Sequence, residues 1–333
     1  MTVTKLEVRF THFQETQKVF GDLDRFLSMI EQRFNVQINS TGDDIMVASE
    51  DPVIVDKLNA IFTLLQQFVV KNQPISERDI QTLLNMADAG TIDQAEQLFF
   101  QREPIIRTLR GKMLYPKTLQ QQQYLKAMQH KAMVFAIGPA GTGKTYLPVL
   151  YAIKLLKENS INRIILTRPA VEAGENLGFL PGDLREKLAP YLQPLYDALY
   201  DIVGKDQVEE WIDRKVVEIA PLAYMRGRTL SDAFVILDEA QNTTEKQMKM
   251  FLTRLGFDAK MVITGDLSQV DLPGHARSGL LTAIKMVEGI PGIDVIRFEK
   301  TDSIRHPLVQ AILARYENEE QWNWSGKTKV KNH

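Results

Sequence analysis

Two periods of hydrophobic residues divide the chain into an N-terminal part and a C-terminal part. The N-terminal part mixes a period of two, typical of half-buried strands, with the helical period of 3.6. In chain order the pattern predicts a strand over 3–10, a helix over 16–34, strands over 36–39 and 45–48, and a helix over 52–70. This order predicts a small α+β module over residues 1–72.

The second pattern is an alternation of apolar runs and helical segments, and it follows a polar middle region. Residues 74–102 show a polar helical pattern with few large core residues, and 103–115 indicate a strand pair, so 73–114 are assigned to a helical connector and strand pair. The apolar runs are 132–137, 163–167, 215–219, 233–237, 260–264 and 294–298. Such alternation favours a mostly parallel sheet covered by helices, here an α/β core over 115–318, followed by a mobile tail over 319–333.

Composition permits a packed core and excludes several kinds of site. The chain is 44% hydrophobic and 25% charged, and it has no cysteine, which excludes disulfides and thiolate zinc sites. A net charge of −2 does not favour nucleic acid overall, so any such site must be local. The first residues, MTVTKLEVRF, lack a signal-peptide core, and no apolar run approaches the roughly 18 residues of a membrane span. We therefore expect a cytoplasmic protein with no membrane partner.

The strongest chemical signal is a glycine-rich motif between an apolar run and a helical segment. It consists of Gly138, Pro139, Ala140, Gly141, Thr142, Gly143, Lys144 and Thr145, and it fits G-x-x-x-x-G-K-[ST] without a mismatch. Glycines let successive backbone N–H groups converge on a phosphate, and the following helix adds positive charge at its N-terminus. Lys144 is expected to reach the β- and γ-phosphates of ATP, and Thr145 to ligate Mg²⁺. A chance glycine-rich turn is the alternative.

A second signal is an apolar run that ends in two carboxylates. Asp238 and Glu239 follow residues 234–237, as expected at the carboxyl end of a buried parallel strand, where ligands of α/β sheets bind. Asp238 is predicted to hold Mg²⁺ and Glu239 to act as general base toward water. Gln269, after the run 260–264, is predicted to sense the γ-phosphate. Solvated strand ends and a polar loop are the alternatives.

These motifs together resemble those of a bacterial ATPase family. Phe234–Asn242 (FVILDEAQN) and Gly265–Gln269 (GDLSQ) resemble motifs of superfamily 1 helicases. With Gly138–Thr145, Thr167–Gly182 and Pro221–Leu230, they are similar to the PhoH family. The resemblance implies a RecA-like P-loop NTPase core, cytoplasmic ATP hydrolysis with Mg²⁺, and action on RNA.

The resemblance also implies an active site shared between subunits. Helicases of this superfamily build the site between two RecA-like domains, and one is visible here, so we expect a ring-like homo-oligomer. A neighbouring subunit would then supply an arginine to the γ-phosphate. The candidates are Arg228 and Arg305, with Arg226 and Arg168 as alternatives. Each also has an interpretation as a surface or capping residue, and Arg226 or Arg228 is equally suited to bind an RNA phosphate.

Gln121 resembles the helicase glutamine that recognises adenine. Tyr124 follows it by one helical turn, and a carboxamide can make two hydrogen bonds to adenine, which would explain a preference for ATP. A solvated, glutamine-rich helix is the alternative interpretation.

The N-terminal module resembles the KH-like segment that precedes some PhoH cores. A KH fold binds nucleotides with a G-x-x-G loop. Here Gly21 takes the place of the first glycine, but Asp24 stands where the second glycine would be. Acidic residues also outnumber Lys and Arg over residues 1–70, which disfavours tight RNA binding by this module alone. Docking of a protein is an equal alternative.

Three functions are compatible with these features. The leading hypothesis is an Mg²⁺-dependent ATPase that couples hydrolysis to remodelling of RNA or a ribonucleoprotein. The alternative is a nucleotide-gated adaptor that recruits an RNA-processing partner without unwinding. A small-molecule kinase is disfavoured, because Glu239 and Gln269 suit the activation of water.

Overall fold

The chain folds into two compact units, each with its own sheet and core. The computed structural model describes residues 3–169, 184–272, 277–303, 308–309, 312–313 and 315–316, and of residues 184–191 the backbone only. The first unit extends to Glu103 and also includes 116–119, and the second contains the other described residues.

The N-terminal unit is a three-stranded antiparallel sheet covered by helices. Its elements are β1 (Thr4–Arg9), α1 (Phe13–Phe20), α2 (Arg25–Phe34), β2 (Ile38–Thr41), β3 (Asp44–Val47), α3 (Pro52–Val70), α4 (Glu77–Asp88) and α5 (Ala95–Phe100). The strand order is β1-β3-β2, which confirms the predicted α+β module. The single helix predicted over 16–34 is wrong, because Gly21 adopts a φ of 78° and separates α1 from α2.

Helix α3 is the central helix of this unit. Among the described residues it is the one helix that is long and apolar enough, by length and composition, to cross a membrane, with a hydropathy of 1.4. The sequence predicts no such stretch. Its apolar residues, including Leu58, Ile61 and Leu65, are buried in the core of the N-terminal unit. The apolar face of α3 is therefore used for packing within the unit.

Helices α4 and α5 contribute to the same core. The sequence predicts few large core residues in 74–102, and this prediction is wrong. Leu83 and Leu98 are buried, and Phe99 packs edge-to-face on Phe68 with ring centroids 5.2 Å apart. Both helices therefore pack with the N-terminal unit, while the assignment of 1–72 and 73–114 as separate domains stays a prediction.

The second unit contains a six-stranded parallel sheet. In chain order its elements are β4 (Ile106–Arg107), β5 (Met113–Leu114), α6 (Leu119–His130), β6 (Met133–Ile137), α7 (Tyr146–Lys157), β7 (Arg163–Arg168), α8 (Leu184–Val203), α9 (Lys205–Asp213), β8 (Val217–Pro221), β9 (Ala233–Leu237), α10 (Glu245–Leu252), β10 (Lys260–Gly265), α11 (Gly279–Val287) and β11 (Ile293–Arg297). The order in the sheet is β11-β6-β10-β9-β7-β8, and β4 pairs with β5 separately. All six predicted strands of the sheet are confirmed.

Both faces of this sheet are covered. Along β9, Phe234 and Ile236 enter one apolar cluster, whereas Val235 and Leu237 enter the other. Two buried faces explain why the strand is a continuous apolar run rather than an alternating one. This arrangement confirms the predicted α/β fold with a RecA-like P-loop core.

Strand order brings the chemical motifs together. Strand β10 lies between β6 and β9 and runs parallel to both. The carboxyl ends of the three strands therefore meet at one edge of the sheet. The P-loop follows β6, the carboxylates follow β9, and Asp266 to Gln269 follow β10.

Lys260 attaches helix α6 to the sheet. Its Nζ donates to the backbone carbonyls of Met128, Gln129 and Lys131 at 2.7, 2.9 and 3.1 Å. The last carbonyls of a helix lack intrahelical donors, so this lysine satisfies them. Burial lowers the pKa of Lys260.

Replacement of this lysine is expected to destabilise the second unit. Lys260→Met removes the donor from three carbonyls, and we expect the free energy of unfolding to fall by about 1–3 kcal/mol. Urea denaturation measures the change. Lys246→Met, at an exposed position on α10, is the control and is expected to leave stability within about 0.5 kcal/mol. Equal stability of the two variants would contradict this role.

Candidate functional site

The P-loop, residues 138–145, has a backbone that requires glycine. Gly138, Gly141 and Gly143 have φ values of 150°, 87° and 84°, a region that L side chains rarely adopt. A Cβ on Gly138 would also lie 2.5 Å from the Phe298 carbonyl oxygen. Glycine is thus needed for both conformation and space, and a loop of this type presents backbone N–H groups to an anion.

The last residues of the P-loop connect it to the neighbouring strands. The Lys144 Nζ donates to the Pro139 carbonyl at 3.2 Å, so its amino group is folded over the loop. The Thr145 hydroxyl donates to Asp238 Oδ1 at 2.7 Å. Hydroxyl and carboxylate oxygens are the ligands that Mg²⁺ prefers, and here the pair predicted to hold it is in direct contact.

Asp238 and Glu239 share one arginine at the carboxyl end of β9. Asp238 Oδ1 also accepts from the Thr264 hydroxyl at 2.7 Å, and the residue is only 4% exposed. Arg168, at the end of β7, has its Nε 3.9 Å from Asp238 Oδ2 and an Nη 2.8 Å from Glu239 Oε1. The arginine compensates the charge of both carboxylates, which a buried acid requires.

Gln241 is a site residue that the sequence analysis missed. Its Nε2 donates to Glu239 Oε2, and its Oε1 accepts from the Asp266 backbone N–H at 3.0 Å. The side chain is 1% exposed, so this amide bridges β9 and β10 inside the protein. The available signal was an amide two residues after Glu239, but its second partner depends on β10 lying beside β9.

Gln269 lies in the turn after β10, at the same edge of the sheet. Its Nε2 donates to Asp266 Oδ2 at 2.7 Å, and Asp266 Oδ1 accepts from the Ser268 backbone N–H at 3.0 Å. The amide therefore faces Asp266 in this structure. The sensing role toward a γ-phosphate stays a prediction.

Comparison with known proteins identifies the family. Residues 113–317 match the family described as PhoH-like protein. A PhoH-like protein of Bacillus subtilis (strain 168) is 51% identical over 308 residues, covering 92% of this chain and 95% of that protein.

The chain belongs to the PhoH-like protein family. A second member, the PhoH-like protein of Synechocystis sp., is 46% identical over 279 residues, which is 84% of each chain. Family and motif together make the chain a P-loop NTPase-type protein. Among solved structures, the UvsW helicase from bacteriophage T4 aligns with 90% of this chain and 100% of that one at 12% identity. Its TM-score of 0.37 is too low to carry an argument.

In this PhoH-like protein Gln121 lies against the P-loop backbone. Its Nε2 donates to the Thr142 carbonyl at 2.9 Å, and the residue is 4% exposed. The Tyr124 hydroxyl donates to the Lys144 carbonyl at 3.0 Å. Burial, and then the charge of Asp238, raise the pKa of Tyr124. Both side chains thus support the P-loop, and recognition of adenine by Gln121 stays a prediction.

The arginine candidates lie in different environments. Arg228 forms a bidentate ion pair with Glu218 at 2.5 and 2.7 Å, and these hydrogen bonds raise the pKa of Arg228. Arg226 is exposed, and Arg168 contacts the carboxylates. Arg305 lies outside the described residues, as does the predicted tail 319–333. A role of Arg228 or Arg305 in catalysis therefore stays a prediction.

Loss of the Gln241 bridge is expected to weaken the fold around the site. Gln241→Leu keeps the volume but leaves the buried Asp266 N–H without an acceptor, so we expect a loss of about 1–3 kcal/mol in the free energy of unfolding. Urea denaturation provides the measurement. Gln193→Leu removes an exposed hydrogen bond to Asp197 and should cost less than about 0.5 kcal/mol. Equal free energies of unfolding for Gln241→Leu and Gln193→Leu would show that the bridge does not stabilise the fold.

Proposed function

We propose that this PhoH-like protein is a cytoplasmic, Mg²⁺-dependent ATP hydrolase that remodels RNA or a ribonucleoprotein. The observation that carries the proposal is the 2.7 Å contact between Thr145 Oγ1 and Asp238 Oδ1. It joins the hydroxyl of the P-loop to the carboxylate of β9, and these two groups hold Mg²⁺ in P-loop NTPases.

The residues present fit an Mg²⁺–triphosphate. Backbone N–H groups of 138–145 would hold the phosphates, and Lys144 would turn from the Pro139 carbonyl toward the β- and γ-phosphates. Thr145 and Asp238 would hold Mg²⁺, which when bound neutralises charge on the phosphate oxygens. The second hydroxyl on Asp238, from Thr264, keeps the carboxylate oriented for this task.

Glu239 is proposed to take the proton from the attacking water. Its two carboxylate oxygens are held by different partners, Oε1 by Arg168 and Oε2 by Gln241, so its orientation is fixed before nucleotide binds. Water would attack the γ-phosphorus as its proton passes to Glu239, while the bond from that phosphorus to the β,γ-bridging oxygen breaks and ADP leaves. Gln269 would position that water or contact the γ-phosphate.

We further infer that a neighbouring copy completes the site in a ring-like homo-oligomer. The developing charge on the γ-phosphate requires a cation in the transition state. Arg228 or Arg305 of that neighbour would supply it, and Arg228 is paired with Glu218 in this structure. Action on RNA is proposed from the family resemblance, and an RNA-processing protein partner belongs to the nucleotide-gated adaptor alternative.

Two substitutions separate binding from hydrolysis. Lys144→Ala is expected to weaken Mg²⁺–ATP binding at least about tenfold in titration calorimetry, because a phosphate contact is lost. Glu239→Gln should bind ATP nearly as the parent protein does, but release phosphate about 10²–10⁴-fold more slowly, because the amide cannot accept the proton. Lys246→Ala, exposed on α10, is the control. A Glu239→Gln variant with normal turnover would refute the assigned base.

RNA dependence of turnover tests the second half of the proposal. Steady-state phosphate release should rise on addition of single-stranded RNA, and the rise should vanish in Lys144→Ala. Slow turnover that ignores RNA, together with a stable complex with a protein partner, would instead favour the nucleotide-gated adaptor. Light scattering measures the oligomeric state. A protein that is strictly monomeric by this measurement and still has full ATPase activity would contradict the shared site.

A further inference from the structure

We propose that the turn after β8, residues 222–228, is a binding site for single-stranded RNA. In this site Tyr224 stacks on a base and Arg226 contacts a phosphate. The inference deepens the proposed function and rests on it for the choice of RNA as the nucleic acid.

The turn lies at the end of the sheet where the strands terminate, which is also where the nucleotide site lies. Strand β8 is the edge strand and pairs in parallel with β7, with Pro221 opposite Arg168. Arg168 in turn contacts Glu239. The residues that follow Pro221 therefore begin one strand away from the arginine that holds the carboxylates. An RNA bound here would lie next to β7, the strand whose Arg168 contacts Glu239.

Buried anchors hold the turn in place. Leu222 is 1% exposed and Met225 is fully buried in the core beneath the sheet. On the far side of the turn, the ion pair of Arg228 with Glu218 and a 3.0 Å hydrogen bond from Arg254 to the Arg228 carbonyl fix the backbone. Little entropy is lost when a ligand binds groups on such a scaffold.

Between these anchors the turn presents an aromatic ring and a cation. Tyr224 is 56% exposed. Arg226 is exposed, and its guanidinium makes no ion pair or side-chain hydrogen bond within the part of the chain that the structure describes. Gly227 has a φ of 75° and open space where a Cβ would be, so an RNA backbone can approach the turn closely. An exposed ring beside an unpaired arginine suits unpaired bases and their backbone, whereas bases in a duplex are already stacked.

Binding of a fluorescein-labelled U20 RNA to the full chain, followed by fluorescence anisotropy without nucleotide, tests the site. Tyr224→Ala is expected to raise the Kd by about 5- to 100-fold, whereas Tyr224→Phe keeps the ring and stays close to the parent protein. Arg226→Gln should also raise the Kd, and it should reduce the slope of log K against log salt concentration by about 0.7. A U20·A20 duplex should bind less tightly than U20.

Two exposed control residues lie before the amino-terminal ends of strands of the same sheet. Phe257, 88% exposed, precedes β10, and Arg214, also exposed, precedes β8. Phe257→Ala and Arg214→Gln should bind U20 as the parent protein does. Thermal unfolding of each variant identifies any that fails to fold, and if Tyr224→Ala does so, Arg226→Gln carries the comparison.

The outcomes that overturn the inference are distinct from failure of the proposed function. The inference is wrong if the parent protein does not bind U20, if Tyr224→Ala binds like the parent, or if Phe257→Ala weakens binding equally. Equal affinity for dT20 overturns the assignment to RNA, and binding of a protein but no RNA shows a different partner. Absence of phosphate release by the parent protein both with and without U20 would overturn the hydrolase alone, since the anisotropy needs no ATP.

Discussion

Asp238, at the end of β9, is the residue that connects this strand to three others of the parallel sheet. One carboxylate oxygen accepts hydrogen bonds from the hydroxyls of Thr145, after β6, and of Thr264, on β10. The other faces Arg168 from β7. A carboxylate that is 4% exposed is costly unless such partners compensate it, so the position of each strand end depends on the others. The geometry of the candidate site therefore follows from strand order, with β10 inserted between the P-loop strand and the carboxylate strand.

The parallel sheet and the two main motifs could be predicted from the sequence for a physical reason. Strands buried on both faces are continuous apolar runs, and the phosphate loop needs fixed residue types at fixed spacing. The bridge made by Gln241 could not be predicted, because its second partner, Asp266, follows β10, a strand whose place in the sheet the sequence does not encode locally. The same holds for the hydroxyl of Thr264, which looks like any polar residue at a strand end.

Predictions from local pattern failed where tertiary packing decides. The helices of 74–102 are mostly polar, yet Leu83, Leu98 and Phe99 suffice to place them in the N-terminal core. Likewise the apolar stripe over 16–34 continues across Gly21, although the helix is interrupted there. For Gln121 the sequence identified a residue near the nucleotide motif, but the partner observed is the Thr142 carbonyl. The sequence resemblance thus placed Gln121 near the P-loop, whereas the structure shows which atom of the P-loop its side chain contacts.

The glycine that opens the P-loop also limits how the protein can vary. Its missing side chain leaves the space that the Phe298 carbonyl occupies, just beyond the end of β11. The Phe298 ring in turn packs edge-to-face on Tyr124, whose hydroxyl holds Lys144. A substitution of Phe298 is therefore expected to affect the P-loop, although the two are far apart in sequence. Because the backbone carbonyl at position 298 is present whatever residue occupies that position, residue 138 is expected to remain glycine as the family diverges.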